Sequence, residues 1–551
     1  MHRPLALALT ILLLAGCTRT DQAATSTTTQ NAQSGGGVHP YTVPHVLRYA
    51  TAEDIVGLNP HLAQQTVVSY MSSLTMAWLL KFDHENRPVP ELATEVPTKK
   101  NGGISPDGLT ITYHLRKDAK WSDGEPFNAD DVVFSTKAVQ NPANNEVGRD
   151  GWNLITKIDE PDKYTVVYHL SKPYASYAAT FFGTGGANPC ILPKHILGSL
   201  PNFNNAPYNS LPVGIGPFKY QTWKRGDRVV MVPDPLYFRG KPKLQQIVFK
   251  IVPDRNTVLT QLETHEIDLW TPVSPAYYDR VKGLSGIAVL RQPSYYFGHL
   301  DLQNAHPALA DVRVRHALRL ATPREEIKMK IRHGVGIVAD NVMSPKNPAY
   351  DPSVPTDPYD PAQANALLDA AGWTRGADGI RTKGSLRLAL TFASSTGTPD
   401  TDSMIELIRP AWKAIGVDLS VRRYPSQLMF APFANGGIVY GGKWDVITFT
   451  WGGDPIGDLS NLYECSQIPP NGQNDPRYCN REVSAAMEKF KGEYDEEKRK
   501  PIGAFIQSQM AKDVPVIVLD ILEDIYAYNS DLKNFKPNQV SQFDDFMDVD
   551  I

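Results

Sequence analysis

Residues 115–135 read "LRKDAKWSDGEPFNADDVVFS". An alternating apolar and polar pattern enters this stretch from Leu109, which predicts a strand within 109–127 that breaks at the turn dipeptide Asp123-Gly124. Asn128 follows as the N-cap of a helix. Asp130 and Asp131 place negative charge in its first turn, and the helix has to stop before Pro142. Outward from this stretch, helices and strands keep alternating. "VLRYATAEDIVGLNP" (46–60) has strand character and then turns at Asn59-Pro60. "TVVSYMSSLTMAWLLKFD" (66–83) carries apolar residues at helical spacing, and "KYTVVYHLSKPY" (163–174) alternates like a strand. Two or three strands fall within 214–254, and 255–270 reads as a helix running into a short strand. "DPAQANALLDAAGW" (360–373) is a capped helix ending at Gly372. In 401–424 a helix containing Pro410 passes Gly416 into a strand, and "KWDVITFTW" (443–451) is one more strand. The class is α/β with mixed sheets. In open α/β sheets, ligands bind at the carboxyl ends of strands. Asp454, in "WGGDP" (451–455), stands at such an end.

The chain has 551 residues, enough for three to four domains or fewer large ones. With 42% hydrophobic and 21% charged residues it can bury a large core. Basic residues number 55 and acidic residues 59, without a Lys/Arg block, so nucleic acid is not an expected partner. The first residues read as a targeting segment. His2 and Arg3 precede the apolar run "PLALALTILLLA" (4–15), which is shorter than the about 20 residues of a spanning helix and fits a secretory signal. It ends in "LAGC" (14–17), which resembles the bacterial lipoprotein box. That resemblance implies a signal peptide over 1–16 and lipidation of Cys17. Residues 17–40 are rich in Ser, Thr, Gln and Gly and read as a flexible tether with a reach of roughly 25 Å.

Cys465 and Cys479 lie close together in a turn-rich segment. Outside the cytoplasm a disulfide is the natural reading, with a chain-entropy gain of about 3 kcal/mol. A metal site is the rival reading. All thirteen histidines lie at or before His333, so none is near in sequence to complete a zinc shell. Cys190 reads as a buried thiol.

Several strings taken together resemble a known family. Residues 115–135, "ILPKHIL" (191–197), "GIGPFKY" (214–220), "DPLYFRGKPKLQQIVFKIVPD" (234–254), "HEIDLW" (265–270), "DVRVRHALRLA" (311–321) and "AQANALLDAAGW" (362–373) with "DGIR" (378–381) are similar, in order, to the extracellular solute-binding proteins of family 5. This family includes the oligopeptide- and dipeptide-binding proteins of ABC importers. The resemblance covers about residues 40 to 540. It implies a two-lobed periplasmic-binding-protein-like fold with mixed sheets, hinged lobes and an extra domain inserted in the first lobe. Lobe one is expected over 41–84, 208–295 and 513–551, the extra domain over 85–207, and lobe two over 296–512. The hinge is expected near 295 and 512. At "ATPREEI" (321–327) the sequence departs from the family, with Thr322-Pro323 where an Asp commonly precedes the Arg. Proline still suits a helix start.

The resemblance also implies a function: capture of a short peptide between the lobes and its delivery to a membrane ABC permease. The receptor is then a monomer held outside the cytoplasm by its lipid, in the periplasmic space or on the outer face of the membrane, without cofactor or metal. In peptide-binding members, the Asp of a Trp-x-x-Asp segment pairs with the ligand's α-ammonium group, which puts Asp454 of "WGGD" (451–454) in that role. Read locally, Asp454 is equally an Asp-Pro turn residue. Gly453 allows close backbone approach, Trp451 either walls a pocket or closes the strand into the core, and Tyr295 and Asn304 lie at the first crossing. A receptor of this fold for another solute (oligosaccharide, opine, glutathione or metal chelate) remains an alternative. An extracytoplasmic hydrolase is the other, although H-E-x-x-H, G-x-S-x-G and Walker patterns are all missing from the sequence.

Overall fold

Two long strands, Ile287–Leu302 and Val516–Asn529, organise the structure, a computed structural model. They pair antiparallel from Ile287 opposite Asn529 to Asp301 opposite Val516. Val446–Gly452, Ala389–Ser395 and Asp418–Tyr424 extend the sheet on one side. Leu269–Trp270, Val46–Thr51, Gln246–Ile251, Arg228–Pro233 and Phe218–Lys224 extend it on the other, making a ten-stranded sheet. Both parallel and antiparallel neighbours occur, so the sheet is mixed. The described residues are 38–551 apart from 64, 147, 148, 150, 184–188, 541, 542, 544 and 545. The signal segment 1–16, Cys17 and the tether as far as residue 37 lie outside them. His39–Ile551 forms one compact unit. His39 already belongs to it, since its N–H donates to Asp531 Oδ2 at 2.8 Å. Among the described residues no helix is long and apolar enough to cross a membrane.

The long pair is irregular at one place. Pro293 faces Glu523 and the next pair is Phe297 with Ile521. One step later Gly298 faces Asp520 and His299 faces Val518. Extra residues on first one strand and then the other bend both, and Pro293 has no N–H to give to the ladder. Cores differ on the two sides of this bend. Leu300, Leu302, Ile517 and Leu519 pack with Val446 and Trp412. Ile525 and Ala527 pack with Val258, Leu259 and Trp270. The second strand thus passes from one core to another between Leu519 and Ile525. Helix Glu496–Asp513 ends with Val514 at φ 46°, and Arg315 Nε donates to the carbonyls of Asp513 (2.9 Å) and Val514 (3.0 Å), holding this segment in the second half of the molecule. Thr322 is structural: its hydroxyl donates to the Leu318 carbonyl and accepts from Trp412 Nε1.

A separate core gathers Met76 through Ile215, including Trp121, Phe127, Val132 and Tyr168. It is covered by a three-stranded sheet of Thr110–His114, Thr165–Leu170 and Ile155–Asp162. Helix Ala129–Gln140 begins at the predicted cap: the Asn128 side chain accepts from Asp130 N, and Asp131 Oδ2 accepts from Asn128 N. The preceding strand is shorter than the alternation suggests and ends at His114. After it the backbone turns, with Trp121 N donating to Glu125 O and Gly124 at φ 104°. The helix in 66–83 likewise stops at Thr75, because Leu79 and Leu80 donate to the carbonyl of Phe182 instead of continuing it.

His61 and Glu146 tie this core to the rest. Both side chains are fully buried, with His61 Nδ1 2.5 Å from Glu146 Oε2 and Nε2 2.8 Å from the carbonyl of Cys190. Burial opposes the imidazolium, but the Glu146 carboxylate, followed by Cys190, outweighs it and raises the imidazole to about 10. Cys190 is a buried free thiol. A folded value above the ordinary 6.5 means that the pair's contribution is full below about 6.5 and is lost as pH rises through about 10. His61→Ala should cost about 3–5 kcal/mol in urea unfolding at pH 6, since it removes one partner of a fully buried ion pair. The cost should shrink toward pH 10; an equal cost at both values would show that His61 acts through packing alone.

Candidate ligand-binding site

Strand Ala389–Ser395 runs parallel to both Asp418–Tyr424 and Val446–Gly452, so the carboxyl ends of three strands open on one side. The last of them delivers Trp451, Gly452, Gly453 and Asp454. Its end is pinned to the bend of the long strand: Gly452 faces Tyr296, Trp451 faces Phe297, and Gly453 N donates to Tyr295 O at 2.9 Å. A Cβ at Gly453 would stand 2.9 Å from that carbonyl oxygen, so the close approach requires glycine here.

Asp454 serves the turn and keeps an oxygen in reserve. Oδ1 accepts from Ile456 N (2.8 Å) and Asp458 N (3.3 Å), while the Asp454 carbonyl accepts from Gly457 N and from Asn347 Nδ2. Among the described residues no hydrogen bond reaches Oδ2. Asp454 keeps partial exposure although its carboxyl lies deep in the molecule, as expected of a group facing an internal recess. Burial, then the neighbouring charge of Asp458, raises this carboxyl to about 7 against the backbone N–H groups that lower it. Burial also raises Asp458.

Two phenols share the recess. Tyr295 is 7% exposed, and among the described residues its hydroxyl has no hydrogen-bond partner. Burial and then the charge of Asp454 raise it, and the same two causes raise Tyr174. Tyr174 comes from the core of Met76–Ile215, and its N–H donates to the hydroxyl of Tyr494 at 3.0 Å. Tyr494 in turn donates to Gly108 O at 2.9 Å, and Ala175 N donates to Lys491 O at 2.7 Å. The recess is thereby roofed by a segment distant in sequence. A cavity of ≈ 450 Å³ adjoins it, lined by Lys172, Tyr174, Asp458, Asn461, Glu488 and Lys491.

The other residues singled out in the sequence fall in different places. Trp451 is half-buried, packed against Phe449 and the core that contains Phe297, so it both walls the strand end and closes it. Asn304 lies elsewhere, nine residues and about 30 Å of extended chain from Tyr295. Its amide donates to the carbonyls of Leu302, Pro476 and Pro515 and braces the backbone there. Cys465 and Cys479 are disulfide-bonded. No group of three or more His, Cys, Asp or Glu side chains suited to a metal occurs among the described residues. Asp458 escaped the sequence reading although it lies only four residues past Asp454. Tyr174 had no local signal, because only tertiary folding brings it there.

The crevice at the carboxyl ends of parallel strands, closed by chain from another core, defines an α/β receptor for a small solute. Comparison with known proteins gives the family. The profile of bacterial extracellular solute-binding proteins, family 5 (middle), matches residues 87–472, and the chain belongs to that family. It is 27% identical over 437 residues to the dipeptide-binding protein of Escherichia coli (strain K12), covering 76% of this chain and 78% of the relative. Its fold matches the oligopeptide-binding protein AppA from Bacillus subtilis, solved with a nonapeptide, at TM-score 0.72 and 22% identity over 92% of this chain and 98% of that one. It also matches NikZ from Campylobacter jejuni, solved with Ni(L-His), at TM-score 0.71 and 26% identity over 90% and 96%.

Carboxyl ¹³C NMR of the ligand-free protein should place the titration of Asp454 near pH 7, well above an ordinary aspartate. Asp458→Asn should lower that midpoint by removing the adjacent charge. An ordinary midpoint in the wild type, or no downward movement in the variant, would contradict the electrostatics described here.

Proposed function

We propose that this family 5 protein is the receptor of an ABC-type peptide importer, binding a short peptide by its free amino end at Asp454 and delivering it to a membrane permease. The observation that carries this reading is the divided carboxyl of Asp454. One oxygen is held by the turn, and the other has no hydrogen-bond partner among the described residues. An α-ammonium supplies what the recess lacks, a positive charge with hydrogen-bond donors, which also meets the unpartnered Tyr295 hydroxyl. An ion pair at 4 Å is worth about 4 kcal/mol at an effective dielectric near 20, less the cost of desolvation. Ligands without the amine leave a buried carboxylate unpaired, and selectivity follows from that. Gly453 and Trp451 complete the floor of the site.

The same reading assigns two lobes, hinged where the long strands bend at 293–297 and 520–524. Residues 41–84, 208–295 and the end of the chain form lobe one, with 85–207 as its extra domain, and 296 to about 520 form lobe two. Tyr494 joins the extra domain to lobe two across the closed cleft. Lipidation at Cys17 and the tether place a monomeric receptor at the outer face of the membrane, and the protein binds without turnover.

Calorimetry with a free and an N-acetylated peptide tests the anchor. Asp454→Asn should weaken the free peptide at least tenfold, about 1.4 kcal/mol, and barely change the acetylated one; equal loss for both would remove the anchor role. Because the carboxyl must ionise to bind, wild-type affinity for the free peptide should fall as pH drops below about 7, approaching tenfold per unit. Asp454→Asn should lose that slope. Separately, Cys17→Ser should move the protein from the membrane to the soluble fraction on cell fractionation; retention in the membrane would refute the lipid anchor.

A further inference from the structure

A second cavity, of ≈ 470 Å³, lies in the half of the molecule that contains Asp454, lined by Phe430, Phe433, Tyr440, Asn461, Pro469 and Gln473 among others. Its segment is unusual. Leu428, Phe430 and Phe433 stand within six residues of one another and are 42%, 43% and 45% exposed, although large apolar side chains in this fold are otherwise mostly buried. The segment directly follows the carboxyl end of strand Asp418–Tyr424, on the ligand side of the sheet. Water is a poor neighbour for three such groups, and a cluster of this kind marks a binding surface.

Two connections join this cavity to the Asp454 recess. The first is a run of ring contacts: Phe430 meets Phe449 edge-on at 5.7 Å, and Phe449 meets Trp451 at 5.2 Å, three residues before Asp454. The second is Asn461, which lines both this cavity and the one adjoining Tyr174 and Asp458. Asn461 Nδ2 donates to Gln473 Oε1 at 2.6 Å, so the polar side of the passage is held in place. From Asp454 back to Phe449 is five residues, at most about 17 Å at about 3.3 Å per residue. Phe430 lies one ring contact beyond. A ligand with the same rise covers that span in about five to seven residues.

We propose that the Phe430–Phe433 cavity is a distal subsite of the same groove, taking an apolar or aromatic side chain of an extended peptide about five to seven residues from the amino group held at Asp454. This assignment rests on the peptide reading above and narrows it to oligopeptides over dipeptides. The apolar side chain displaces water from Phe430 and Phe433, while Asn461 and Gln473 remain beside the ligand backbone.

The test is a phenylalanine scan. A Gly/Ala heptapeptide with a free amino end, carrying one Phe moved through each position, is titrated against the full protein alongside its N-acetylated form. Phe at one position from the fifth to the seventh should tighten binding roughly tenfold or more, the scale expected for burying a large apolar side chain. The double variant Phe430→Ser/Phe433→Ser should lose that gain while keeping the penalty for N-acetylation. Phe505→Ser, an exposed aromatic outside this cavity, should keep both. A flat scan, a gain confined to the first four positions, or a gain that survives the double variant would overturn the subsite. Loss of the acetylation penalty in the wild-type protein would instead overturn the anchor reading, so the two failures are distinguishable.

Discussion

Antiparallel pairing of Ile287–Leu302 with Val516–Asn529 is the constraint on which the rest depends. The two strands are the central members of the ten-stranded sheet, and each enters one core near one end and another near the other. Buried arginines grip the second strand in the Asp454 half of the molecule. Arg315 holds the carbonyls of Asp513 and Val514 and also that of Leu309, while Arg324 Nη1 donates to Val518 O and Ala339 O. Guanidinium groups suit this task because their planar fork reaches several carbonyls at once. With both ends held by packing, the irregular register between Pro293 and His299 is where the pair departs from a regular ladder. The same bend places Tyr295 and the strand end at Gly453 against each other. The bend and the end of the strand that carries Asp454 therefore share one short piece of backbone.

The electrostatics of the recess follow from that placement. A carboxylate in a turn normally stays ionised, because backbone N–H groups stabilise it. Two such N–H groups reach Asp454, but burial and the charge of Asp458 outweigh them. The positive Arg499 is present, yet its guanidinium donates to the Glu493 carbonyl, lies over the Phe490 ring and is itself disfavoured by burial. Arg499 therefore lowers the Asp454 carboxyl less than burial and Asp458 raise it.

Much of the local structure was legible in the chain. The capping box at Asn128 stands where acids follow an N-cap residue, and the helices of 360–373 and 401–424 end at Gly372 and Gly416, both with positive φ. These signals are short-range, since a cap or a left-handed turn depends on a few neighbouring residues. The strand pattern over 109–127 and the helical pattern over 66–83 overran, because apolar spacing records burial rather than backbone pairing. The bonds from Asn304 to the carbonyls of Pro476 and Pro515 had no local signal, because those partners are far away in sequence.

The sequence by itself determined the alternating α/β class, the family, and Asp454 as a carboxylate at a strand's carboxyl end. Each rests on residue order or on interactions a few positions long. Tertiary structure alone decided what that carboxylate faces. Tyr174 and Tyr295 lie far from it along the chain, and its own turn was already a complete local explanation. The shift toward neutrality and the ring contacts from Trp451 to Phe430 arise from desolvation and long-range packing. Those quantities exist only once segments hundreds of residues apart have closed around the same few atoms.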